Sequence, residues 1–414
     1  MPKFVADFHV HSRYSRATSK DLTIQTLAKW AKLKGIGVLG TGDFTHPLWL
    51  QELKETLRQT GTGLYEHGGV QFLLTCEVNT LFYKGGKAHQ IHHVLFAPSM
   101  EAVERINQAL APFGSLEIDG RPTFQMEAWR LVEVVLGIEP RAVIVPAHAW
   151  TPWFAVFGSI AGFDTIEECF EYRAKDIFIL ETGLSSDPAM NWRLSSLDRY
   201  ALISNSDAHS ARKIGREANV FDCDLSYDAI VQALRTKDPR RFLSTIEFFP
   251  EEGKYHFDGH RACGIRWAPA ETKQHGFRCP ACGRKVTVGV MHRVEALADR
   301  PEGTVPMGAI PFQRIVPLEE IIAEALGVNP GTQAVDREYQ TLVYTGGSEF
   351  RVLLELPEDE LRRFTSPHVA EGILRMRRGQ VTVEPGYDGE YGTARLFAGS
   401  ESATAAPEQQ MTLF

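Results

Sequence analysis

The chain has 414 residues, 43% hydrophobic and 23% charged, which is room for about two or three globular domains with a large core. A formal charge of -8 excludes electrostatic capture of nucleic acid over the whole surface, although residues 251–300 carry nine Lys and Arg against six Asp and Glu and so keep a local basic face open. No run of about 18 apolar residues could span a bilayer, MPKFVADF lacks a signal-peptide core, and six scattered cysteines are too few for a disulfide scaffold; a cytoplasmic setting is expected.

FVADF reads as a strand, and His9 and His11 follow it two residues apart. In a strand such residues share a face, so two imidazoles there can grip one cation. LTIQTLAKWAKLKG is helical in pattern. The next apolar runs are GVLGTGD, ending in Asp43, QFLLTCE, ending in Glu77, and HHVLFA, which opens with His92 and His93. AVIVPAHA ends near His148, IFILETG follows, and YALISNSDAH carries Asp207 and His209. Short apolar runs spaced by helices predict a parallel sheet or an α/β barrel over residues 1–245. The alternation stops over 246–300. Residues 301–395 contain the helical patterns LEEIIAEALG and EDELRRF, interrupted by TLVYTGGSEFRVLLEL, and predict a mainly helical C-terminal domain. Residues 396–414 form a small, polar tail expected to be flexible.

Loops after the strand ends of an α/β barrel converge, so His9, His11, Asp43, Glu77, one histidine of the HHV pair, His148, Asp207 and His209 form one expected cluster. Imidazoles and carboxylates suit zinc, manganese, iron or magnesium. There are more donors than one ion needs, which points to two or three ions with Glu77 or Asp207 shared between them. Such clusters activate water and clamp the oxygens of a phosphoryl centre. Hydrolysis of a phosphate ester follows.

The series HVH, GTGD, TCE, HHV, PAHA and SDAH resembles the polymerase and histidinol phosphatase (PHP) domain, which implies a distorted (β/α)7 barrel holding up to three metals. Within that superfamily HSRYSRATSKDLTI, KLKGIGVLGTGDFTHPLW, VPAHAWTPWF, ETGLSSDPAMNWRLS and SNSDAHSARKIGREANVF are similar to the endonuclease Q family of DNA repair enzymes, over roughly residues 4–300. The resemblance implies one metal on His9, His11, Glu77 and Asp207, a second on Glu77, His93 and His148, and a third held with help from Asp43 and His209. His93 is preferred over His92 because Val94 and Leu95 then continue the strand in the family's manner. Many PHP phosphatases carry Asp-Gly where Arg16 and Ala17 stand here; a cation there replaces a metal ligand with a phosphate contact. Glu77, Asp207, His209 and Arg16 are thus the expected catalytic residues, with Arg13, Tyr14 and Arg16 as substrate binders.

Downstream, His260, Cys263, Cys279 and Cys282 are spaced H-x2-C-x15-C-x2-C, a structural-zinc pattern in which two close pairs complete a tetrahedron. His256 and His275 compete with His260 for the fourth place; pairing symmetry favours His260. Arg261, Arg266, Arg278, Arg284 and Lys285 flank this module and predict contact with a nucleic-acid backbone. Trp150, Trp153 and Phe154, next to His148, are candidates to wedge a duplex or stack a flipped base. The final QMTLF resembles the peptide by which bacterial repair proteins dock on the sliding clamp, through Gln410, Met411, Leu413 and Phe414. The function expected from the resemblance is metal-dependent cleavage of the DNA phosphodiester 5′ to deaminated bases (uracil, hypoxanthine, xanthine) or abasic sites, by a nucleoid-associated protein. The alternatives are a phosphomonoesterase acting on a small molecule and a non-catalytic, clamp-tethered DNA-binding protein.

Overall fold

A computed structural model describes residues 3–397. The clamp-like residues Gln410, Met411, Leu413 and Phe414 lie outside the described residues. Among the described residues no helix is long and apolar enough to cross a membrane.

The described residues form two compact units, and the first comprises residues 3–32, 36–314 and 385–392. Its sheet begins with the strand Phe4–Asp7 lying parallel to Ile36–Gly40, which in turn lies parallel to Val70–Lys84. Val70–Lys84 then folds back on Lys87–Ala97 through Gly85-Gly86, with φ of 58° and 77°. A two-residue turn of that kind can only join antiparallel strands, so the sheet is mixed rather than all parallel. Val143–Pro146 pairs with Lys87–Ala97, Ile179–Glu181 with Ala201–Ile203 in parallel, and Ala218–Phe221 runs antiparallel to Phe4–Asp7. Phe242–Glu247 completes that edge, flanked by Phe312–Arg314. Helices such as Ile24–Lys34, Met100–Leu110, Ala128–Ile138 and Tyr227–Thr236 connect the strands, as the apolar spacing predicts for an α/β fold.

Alternation at the N-terminus divides core from site. Phe4, Ala6 and Phe8 join a buried cluster with Val38, Leu73, Phe96, Val145, Ile203 and Phe242. Phe8 packs at 5.2 Å on Phe96, and Phe221 stacks between Phe4 and Phe242. Each buried ring contributes about 1.5–3 kcal/mol, which fixes the strand and turns the odd-numbered residues to the other face. The strand ends at Asp7, two residues before His9, and an isolated bridge between Val10 and Ala208 carries the backbone on past the site.

Residues 246–300 pack within this first unit, and because Phe312–Arg314 pairs with Phe242–Glu247 the unit runs on to Arg314. The second unit gathers residues 33–35, 315–384 and 393–397. Helices Leu318–Leu326, Gln333–Gly346, Glu358–Phe364 and Pro367–Arg377 surround buried Ile321, Ile322, Leu342, Val352, Leu361 and Ile373. TLVYTG, expected to interrupt the helices, is the last part of Gln333–Gly346; its buried Leu342 and Val343 follow Val335 and Tyr339 at helical spacing.

Candidate metal centre

Strand ends and the loops after them bring His9, His11, Glu77 and Asp207 together, with one donor atom of each within 4.8 Å of the others. A second group, Glu77, His92 and His148, converges equally closely. Glu77 belongs to both. Its Oε2 lies 3.6 Å from His9 Nε2 and 3.5 Å from His11 Nε2, while its Oε1 lies 2.6 Å from His92 Nδ1 and 3.1 Å from His148 Nε2. Asp207 Oδ1 adds contacts of 2.9 Å to His11 Nε2 and 3.6 Å to His9 Nε2. Asp43, His148 and Asp207 adopt φ of 48°, 31° and 47°, a conformation that costs a non-glycine residue of order 1–3 kcal/mol and that clusters at functional sites.

Two outer carboxylates hold the rings. Glu181 meets His9 Nδ1 with both oxygens at 3.0 Å, and Asp43 Oδ1 meets His11 Nδ1 at 3.0 Å. Each fixes one tautomer and turns the opposite ring nitrogen inward, the arrangement of metal-ligating histidines. His9 Nε2 is consequently buried without a hydrogen-bond partner, facing two carboxylate oxygens. That is a costly arrangement for a protein alone and a good one for a cation. Electrostatics agree. Burial would push His9 and His11 down, but Glu181, Glu77 and Asp207 raise His9 well above its usual value, and Asp43 and Asp207 raise His11 to about 9. Against their own burial, Glu77 is held well down by His92 and His9, and Asp207 by His9 and His11. Imidazolium protons thus balance the carboxylates, and divalent ions fitting the same donors would displace them.

Several expected residues stand elsewhere. His93, expected as a ligand, joins neither group; His92 stands in its place. Register pairs Asn79 with His92 and Val78 with His93, so His92 shares the face of Glu77 and His93 points away, its Nε2 on Thr80 Oγ1 at 3.0 Å and its ring edge-on to Phe170. Burial pushes His93 down to about 3, leaving a neutral core histidine. Asp43 is occupied by His11, Ser12 and Ser15 and joins neither group. His209 sits beside the first group, 4.6 Å from the His11 ring, with Nδ1 on the Asp207 carbonyl at 2.8 Å; no third group forms among the described residues. Arg16 is 73% exposed and pairs with Asp119 rather than reaching the cluster. Arg13 and Tyr14 both bond Glu52 and, with Arg16, Lys20, His46 and Ile118, line an open cleft. Trp150 is core: it is buried, bonded to Asn191 Oδ1 at 2.8 Å and packed on Phe157. Trp153 and Phe154 are 40% and 42% exposed, and Phe154 stacks on His92 at 5.0 Å.

Two residues in contact with the cluster were not foreseen. Glu181 closes IFILETG and obeys the strand-end rule that picks out Glu77. Arg121, with Nη1 3.3 Å from Glu77 Oε2, comes from a loop with no periodic signal.

The downstream quartet converges as well: His260, Cys263, Cys279 and Cys282 each place a donor within 4.8 Å of the rest. Asp258–His260 and Ile265–Trp267 form a hairpin that delivers the first pair, and the Cys279–Gly283 turn, closed by Gly283 N–H donating to the Cys279 carbonyl, delivers the second. Cys279 is pulled down to about 6: burial opposes this, but the Cys282 and Ala281 backbone amides favour the thiolate. Of the competing histidines, His275 stacks on Trp267 at 4.4 Å and His256 is buried against Phe257, so His260 alone reaches the thiols.

Residues 194–239 match the family model described as PHP-associated, and residues 317–380 that of the MJ0043 C-terminal domain. The uncharacterized protein MJ0043 of Methanocaldococcus jannaschii is 32% identical over 59% of this chain, which spans only 31% of that relative's length. The uncharacterized protein YqxK of Bacillus subtilis is 28% identical over 95% of this chain and 99% of its own. Among solved structures, the lesion-specific endonuclease PfuEndoQ of Pyrococcus furiosus is 31% identical over 95% of both chains, with a TM-score of 0.86. Endonuclease Q in complex with a 27-mer duplex carrying an abasic lesion at the active site superposes with a TM-score of 0.84, also at 31% identity, over 95% of this chain and 96% of its own.

Proposed function

This chain belongs to the endonuclease Q family, and from that premise we propose that it hydrolyses the DNA phosphodiester 5′ to a deaminated base (uracil, hypoxanthine or xanthine) or an abasic site. The observation that carries the proposal is the pair of histidine–carboxylate groups sharing Glu77. His9, His11, Glu77 and Asp207 would hold one divalent ion, and Glu77, His92 and His148 another. Zinc, magnesium or manganese there would supply an activated water and neutralise charge on the phosphate.

The chain's own residues do the rest. Asp43 and Glu181 keep the His11 and His9 rings from rotating. His209 donates its Nδ1–H to the Asp207 carbonyl, which in the neutral ring leaves Nε2 to accept a proton from the attacking water. Half-exposed Trp153 and Phe154 offer stacking surface beside His92, and Arg13 and Tyr14 contact the substrate from the open cleft. One zinc on His260, Cys263, Cys279 and Cys282 would brace a module whose exposed Arg261, Arg266, Arg278, Arg284 and Lys285 face the DNA backbone. The terminal QMTLF supports the sliding clamp as a partner.

The test is incubation of the protein, with magnesium or manganese, with end-labelled duplexes carrying one uracil, one hypoxanthine, one abasic site or no lesion. A nick at the phosphate 5′ to the lesion, lost in Asp207→Ala, is the expected outcome. Inert duplexes together with turnover of a phosphate monoester would assign the site to a small-molecule phosphatase instead.

A further inference from the structure

Arg121 enters the barrel cluster from a segment fixed on three sides. Gly120 N–H donates to the Tyr14 carbonyl at 3.1 Å, Thr45 Oγ1 donates to the Gly120 carbonyl at 3.2 Å, and Asn79 N–H donates to the Pro122 carbonyl at 2.9 Å. Asp119 accepts at one oxygen from the backbone amides of Arg16 and Arg121, and its other oxygen pairs with the Arg16 guanidinium. Gly120 admits no side chain, since a Cβ there would lie 2.4 Å from Asp43 Oδ2 and 2.5 Å from Ser15 Oγ. The backbone that launches Arg121 is therefore pressed against the carboxylate that orients His11.

The side chain is only 22% exposed, yet among the described residues its guanidinium makes one hydrogen bond, to Glu77. A guanidinium has five donors in a rigid fork, and those that Glu77 leaves over are not buried but open to solvent beside the cluster, where an anion can take them in place of water. Arg16 cannot serve, being turned outward onto Asp119. The anion that comes to this place, if the DNA-cleavage reading above holds, is a phosphodiester, whose non-bridging oxygens match the fork and gain charge as water adds to phosphorus. We propose that Arg121 grips the non-bridging oxygens of the scissile phosphate and is a catalytic residue of this site. It keeps its proton throughout: the water oxygen forms the new bond to phosphorus, one ester oxygen leaves and takes up a proton, and Arg121 stabilises the charge between.

The test uses the full chain loaded with metal, comparing wild type, Arg121→Lys and Arg121→Gln. Three quantities are read: metal content, single-turnover nicking of a uracil duplex, and binding of inorganic phosphate by calorimetry. Arg121→Gln should lower the nicking rate by about 100-fold or more and weaken phosphate binding at unchanged metal content, with Arg121→Lys between the two. Rates within threefold of wild type would overturn the proposal, as would a loss that follows metal content alone, which would make Arg121 only a support for Glu77. If the wild type cuts no duplex, the DNA-cleavage reading falls and phosphate decides: binding weakened in Arg121→Gln keeps the phosphate contact, and unchanged binding removes it.

Discussion

The barrel cluster and the downstream quartet both gather metal-competent donors, but they stand in opposite relations to the fold. The barrel donors run from residue 9 to residue 207 and are placed by strands buried around Phe8, Phe96 and Phe221. The quartet lies within residues 260–282, and the hydrophobic cluster beside it comprises Trp267, Cys279 and Val286, with Cys263 and Ile265 packed against them. A core that small contributes little order of its own, so a metal on the quartet would brace the backbone there. In the barrel the fold positions the ligands; in the quartet the ligands position the fold.

The comparison is broken most forcefully by removing one donor from each. Glu77→Gln strips the residue both barrel groups share, and nicking should fall by about 1,000-fold or more while circular dichroism and the single zinc equivalent persist. Cys279→Ser should do the reverse, losing the zinc and opening residues 258–287 to protease while the barrel ions remain. Zinc lost from Glu77→Gln, or barrel ions lost from Cys279→Ser, would mean the two sites are one cooperative unit. A smaller effect is expected from the carboxylates behind the rings. Asp43→Asn and Glu181→Gln leave every direct ligand in place but loosen His11 and His9, so metal affinity should drop about 10–100-fold, read by competition with a chelating dye. Unchanged affinity in both would remove their orienting role.

How much of each region is legible in the sequence follows the same division. The quartet depends on local spacing, and H-x2-C-x15-C-x2-C leads directly to the residues that converge. The barrel cluster depends on which face each strand-end residue takes, and there the sequence reading was uneven. Choosing His93 over His92 missed a signal that was present: the Gly85-Gly86 turn sets the hairpin pairing, and counting back from it puts His92 on the face of Glu77. Asp43 stands at a strand end as expected but joins neither donor group, because His11, Ser12 and Ser15 occupy its oxygens across the loop, which local spacing does not reveal. Trp150 and its neighbours Trp153 and Phe154 look alike in sequence; only packing separates the buried ring from the exposed ones. Arg121 was out of reach, since its approach to Glu77 depends on Tyr14, Thr45 and Asn79 pinning its segment.

The smallest expected effect separates the regions by the sign of their pH dependence. Glu247 is buried, and burial followed by the charge of Asp187 pushes it up to about 8 against an ordinary 4.5; Glu217 beside it moves the same way. An unfolded chain sheds that proton near 4.5 while the folded one keeps it to about 8, so folding binds more protons between those values. Stability of the barrel therefore falls as pH rises through that window, by at most about 1.4 kcal/mol per pH unit for each group. Cys279 in the metal-stripped quartet has the opposite sense. Its folded value of about 6 lies below the ordinary 9, so its stabilisation is complete above 9 and is lost as pH falls through 6. In chelator-treated protein between pH 6 and 8, the barrel's melting temperature should decline while amide protection around Cys279 increases. Glu247→Gln, which fixes the neutral form, should make the first trend shallower, the remainder coming from Glu217, His9 and His11, and leave the second. Parallel slopes in the two regions, or a barrel slope untouched by Glu247→Gln, would show that these buried groups do not set the pH response.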